Sequence, residues 1–88
     1  MINIASPHPM TTMSVSSCPL HEDHVIDSVR LDDGHRFRLS ELGLRPGQHV
    51  RVIQRCAFGG RVLARGSERI ALDSATARTI IVRGAARI

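Results

Sequence analysis

The side chains able to do chemistry fall in two groups. The tighter one is Cys18-x-x-His21-x-x-His24, with Glu22 and Asp23 inside it. Thiolate and imidazole at such spacing suit zinc, nickel or copper, but a closed zinc site takes four ligands on a supported frame and this stretch supplies three. It is therefore not expected to hold a metal. The second group is dispersed: His35 and His49 among Asp27, Asp32, Asp33, Glu41, Glu68 and Asp73. No close spacing joins either histidine to a carboxylate in the pattern of an open non-haem iron site, so both are expected as solvated surface residues, with no metal site and no cofactor. Cys56 follows Arg55, whose charge favours a thiolate, but no histidine base stands at a recognisable distance, and a small packed cysteine is the expectation. Phe58-Gly59-Gly60 lacks the Lys-Ser/Thr that completes a phosphate loop. No catalytic residue is expected, and the protein is expected not to be an enzyme.

The elements that must carry these residues are small. The chain has 88 residues, and the basic side chains number 12, all arginine, against 8 acids. From residue 34 onward there are eleven arginines and three acids, a local balance of 11 − 3 = +8. Such a field invites a phosphate backbone or an acidic protein surface. The complete absence of lysine equally fits a compositional bias towards arginine. The two phenylalanines are the only aromatics, so the stacking platforms of single-strand nucleic-acid binders are missing. No apolar run reaches the roughly 20 residues of a membrane span, and the first 20 residues lack a signal-peptide pattern, which sets a cytoplasmic expectation.

Residues 1–24 carry Pro7, Pro9 and Pro19, a Ser/Thr run and no arginine, and are expected to be a disordered tail. Residues 25–84 are expected to be the folded unit, with a short tail at 85–88. Within it Val25 to Leu31 suggests a strand, Asp32-Asp33-Gly34 a turn, and Phe37, Leu39 and Leu42 a short helix stopped by Gly43. Val50 and Val52 alternate with polar neighbours, and two further strands follow across Gly59-Gly60 and Gly66-Ser67. Asp73 or Ser74 caps a single helical turn, and Thr79 to Arg83 closes the set. The expected fold is mainly β: a small antiparallel barrel of about five strands with one short helix.

Phe37-Arg38-Leu39-Ser40-Glu41-Leu42-Gly43-Leu44-Arg45-Pro46-Gly47, followed by Val50 and Val52, Phe58-Gly59-Gly60 and Arg69-Ile70-Ala71-Leu72, resembles the FeoA family of small proteins of ferrous iron transport. The resemblance implies an SH3-like barrel and a non-catalytic interaction module that binds or regulates FeoB, a membrane iron transporter with a GTPase domain. On that footing the expected contact surface is an apolar groove at Leu39, Leu42 and Leu44 with Phe58, rimmed by Arg45 and Arg61. Self-association is compatible with so small a domain. A second reading is a nucleic-acid-binding or iron-responsive regulatory module, since related domains occur in iron-dependent repressors. The 88 residues leave no room for a helix-turn-helix beside the barrel, so nucleic acid is the less favoured partner.

Overall fold

The computed structural model describes residues 11–85. Six antiparallel strands form one sheet: β1 (Thr12–Ser14), β2 (Asp23–Val29), β3 (His49–Arg55), β4 (Arg61–Arg65), β5 (Glu68–Leu72) and β6 (Ile80–Gly84). Their order is β1-β6-β2-β3-β4-β5. Helix α1 (Asp33–Glu41) links β2 to β3, and α2 (Ser74–Thr79) links β5 to β6. Two 3₁₀ turns, Val15–Ser17 and Ala57–Gly59, complete the set.

The core follows the strand alternation. Ile26 from β2, Val50 and Val52 from β3, Leu63 from β4, Leu72 from β5, and Ile80 and Val82 from β6 point to one side, where Leu39 and Leu44 meet them. Two bulges break the alternation, one between Ile26 and Ser28 and one between Val52 and Gln54. A bulge bends and twists its strand, which is how a short sheet curls towards a barrel.

Helix α1 is longer than the sequence suggested because Asp32, read as part of a turn, is its N-cap. Its side chain accepts from the His35 amide at 2.9 Å. That amide bond is the main reason the Asp32 carboxyl titrates below the ordinary carboxylate range. The helix ends as expected at Gly43, whose φ is +87°. The Gly43 amide donates to Ser40 O at 2.9 Å and the Leu44 amide to Leu39 O at 3.0 Å, the two bonds of a Schellman motif. Leu39 and Leu44, its accompanying apolar pair, are both buried.

The boundary expected at residue 24 lies too late. Thr12, Met13 and Ser14 pair with Arg83, Val82 and Ile81, and Val15 and Cys18 are wholly or almost wholly buried in the core. This stretch has too few apolar residues to show a period, and its pairing is with β6, nearly seventy residues away, so local pattern could not reveal it. It supplies the sixth strand where about five were expected. The rest of the expected tail, residues 1–10, lies outside the described residues, as do 86–88.

Candidate docking surface

The local structure decides which of the expected contact residues reach solvent. Leu39 and Leu44 are the buried hinge of the Schellman motif, at 9% and 1% exposure. They support a surface more than they form one. Residue Leu44 does reach one wall of an open cleft of about 420 Å³ between α1, the end of β2 and the loop after the helix, shared with Val29, Phe37, Arg45 and Pro46. Phe37 is 65% exposed there. Arg45 stands at the rim, its guanidinium donating to Ser40 O at 3.2 Å.

Leu42, 46% exposed, points elsewhere. It lines a second, shallow depression with Glu41, Arg65, Glu68, Arg69 and Ile70. Phe58 lies farther still. It is 99% exposed in a turn with φ +58°, next to Arg61, whose guanidinium donates to Gly59 O at 3.0 Å, Gly60 O at 2.8 Å and Ser16 O at 2.8 Å. Arg65 at the opposite end of β4 donates to Leu42 O. Four strand steps of about 3.3 Å put roughly 13 Å between the Leu42 end and the Phe58 end. The single groove expected from the sequence is thus three separate places. Arg61 is engaged in joining the turn at Phe58 to the Val15–Ser17 turn, so it does not stand free at a rim.

Phe37 was missed as a surface residue. The signal was present: in a helix, residues two apart sit about 200° around the axis, so Phe37 and Leu39 cannot both face the core.

The arginines are likewise divided. The bulge at Ile53 reverses the parity of β3, so Arg51 pairs with Ala64 on one face while Arg55 pairs with Arg61 on the other. Unbroken strand alternation would have put Arg51 and Arg55 on one outer face, and the bulge separates them. Arg51 binds Asp23 at 2.7 Å, Arg83 binds Asp27 at 3.4 Å, and Arg36 and Arg65 are paired with Asp33 and Glu68. Of the others, Arg45 lies at the first cleft and Arg69 at the second depression.

The Cys18, His21 and His24 set does not converge. Cys18 is in the core, and burial, helped by Glu22, pushes its thiol up to about 11. Buried His24 has its Nδ1 at 3.2 Å from Glu22 O, while His21 is exposed in a left-handed conformation. His35 is bound by Asp32 at 2.9 Å. Among the described residues no three His, Cys, Asp or Glu side chains gather as a metal site. Cys56, expected to pack, is exposed instead.

The FeoA domain matches residues 13–84, most of the chain. The chain belongs to the FeoA family. That family is associated with ferrous iron transport and has a small SH3-like fold. The chain is similar to zinc-complexed Stenotrophomonas maltophilia FeoA, described as a prokaryotic SH3 domain protein, at 33% identity and a TM-score of 0.66, covering 80% of this chain and 88% of that one. It is similar to Chlorobium tepidum FeoA at 23% identity and a TM-score of 0.75, over 84% and 71% of the two chains. ScaR, solved with bound zinc, shares the fold at 19% identity and a TM-score of 0.72, over 83% of this chain and 37% of that chain. No curated protein matches the sequence. The match beginning at residue 13 agrees with the early start of the barrel at β1. Among the described residues no helix is long and apolar enough to cross a membrane.

Proposed function

We propose that this FeoA-family protein is a non-catalytic, cytoplasmic adaptor of ferrous iron transport that docks through the Phe37 cleft onto a FeoB-type membrane GTPase transporter. The observation that carries the reading is Phe37 itself. An aromatic ring 65% exposed on a capped helix, above an apolar floor of Val29 and Leu44, is the kind of anchor that dominates protein contacts. Arg45 supplies a polar rim. Leu42 and Phe58 stand outside this contact and are expected to be secondary.

A pull-down from solubilised membranes containing such a transporter, at low and high salt, tests this. Wild-type protein retains the transporter at both salt levels, and Phe37→Glu, at a position that leaves the core intact, loses about tenfold or more of that retention. Equal retention by Phe37→Glu would show that the cleft is not the contact. Recovery of nucleic acid in place of the transporter, lost steeply with salt, would favour the regulatory reading.

A further inference from the structure

We propose that the protein forms a two-fold homodimer by pairing β5 antiparallel with β5 of a second copy, centred on Ala71. This rests on the sheet edge alone and is independent of the docking cleft.

The sheet ends at β1 on one side and β5 on the other. β1 is only three residues long, whereas β5 has five, without proline and without a bulge in its pairing to β4. Of the usual protections of an edge, which are short length, proline, bulges and charge, β5 has only the charges of Glu68 and Arg69 at its start. Its phase can be read from the hairpin. Gly66 and Ser67 form a two-residue loop between Arg65 and Glu68, with Gly66 at φ +60°, as a II′ turn requires at its first position. Arg65 and Glu68 are then the closing hydrogen-bonded pair. Alternation turns the backbone groups of Glu68, Ile70 and Leu72 towards β4 and those of Arg69 and Ala71 out of the open edge. Arg69 and Ala71 are both exposed.

The side chains along this edge are self-complementary in one register. Arg69-Ile70-Ala71-Leu72-Asp73 reads positive, apolar, small, apolar, negative. With the axis at Ala71, Arg69 faces Asp73 of the second copy on both sides, and Ile70 faces Leu72. Both pairs then fall in the backbone phase that the hairpin dictates. Moving the axis to Arg69 would put two guanidinium groups opposite one another, and moving it to Ile70 would set Arg69 against Ala71 with no counter-charge. The chain is still extended at Asp73, with φ −77° and ψ 170°. Its carboxylate accepts from the Thr76 amide and from the Thr76 side chain, leaving further acceptor positions for a guanidinium. Arg69 has no carboxylate partner among the described residues. The half-exposed Leu42 lies beside Ile70 at the same edge, an apolar area that the second copy would cover.

Sedimentation of the full chain over a dilution series is the test, because a five-residue edge makes a small, concentration-dependent interface. Wild type is expected to shift from monomer to dimer, more weakly at high salt. Arg69→Asp and Asp73→Arg each place like charges across the axis and are expected to stay monomeric, while an equimolar mixture of the two restores a dimer containing one of each. Ala71→Arg, at an exposed site that leaves the cap of α2 intact, is expected to be folded and monomeric. A monomeric wild type at every concentration, growth beyond the dimer, dimerisation of Ala71→Arg, or a mixture that stays monomeric would overturn the proposal.

Discussion

Two cysteines of one chain illustrate how far residue type predicts chemistry. Cys18 sits in a run of ligand-type residues, and Cys56 next to an arginine, yet their environments reverse the sequence reading: Cys18 is buried and Cys56 exposed. Cys18 therefore stays protonated in neutral solution, with its thiol at about 11. At pH 8 a thiol-specific reagent is expected to label Cys56 promptly and Cys18 only on unfolding, giving one fast thiol per chain by mass spectrometry. Equal rates at both would contradict the burial of Cys18. The same shift has a thermodynamic sign. Cys18 holds its proton more tightly folded than unfolded, so its contribution is fully present below about 9 and is lost as pH rises towards 11. Cys18→Ser should remove that alkaline loss. Residue spacing alone could not tell these two sites apart, because burial here is created by β1 and the turn after it, whose partners are remote in sequence.

At the scale of elements, most of the fold was legible where the signal is local. Gly43, the turn at Gly66-Ser67 and the alternating strands β3, β4 and β5 lie where composition puts them, because each depends on backbone preferences or on a period of two. What was not legible is parity. The bulge at Ile53 leaves no mark in the sequence, and it sends Arg55 to the face opposite Arg51. The contact surface failed in a related way, since Leu39 and Leu42 look equivalent in a helical pattern until the Schellman turn buries one and exposes the other. Gly43 governs that turn. Its φ is positive, and a Cβ there would have to displace the Arg65 guanidinium packed against it. Gly43→Ala is expected to cost about 1–2 kcal/mol from the left-handed conformation alone, with more from displacing Arg65. Urea unfolding measures this, and an unchanged midpoint would mean that the turn carries no such constraint. The same variant should weaken transporter retention if the Phe37 cleft is positioned by this helix end.

For the whole molecule, the decisive contact joins the two ends of the folded chain. β1 pairs with β6, Val15 is fully buried, and α2 packs on the turn that carries it. A barrel of this size has a thin core, so a single wholly buried side chain is a large share of its margin. If residues 12–18 were a fringe, losing apolar contacts there would let them fray while the remaining strands kept their stability. If they are structural, the loss is global. Val15→Ala removes two methyl groups from a site with no exposure and is expected to cost about 1–3 kcal/mol. Since 1 kcal/mol shifts the melting temperature of a domain this small by roughly 4–8 °C, Tm should fall by about 5–20 °C in one cooperative transition. Amide exchange gives a second reading of the same variant. Protection in β2 and β6 should drop together with that of β1, because Val15 meets the core that Ile26, Ile80 and Val82 also fill. An unchanged Tm with faster exchange confined to β1 would return the first strand to the status of a tail and reduce the barrel to the five strands that local sequence pattern alone suggests.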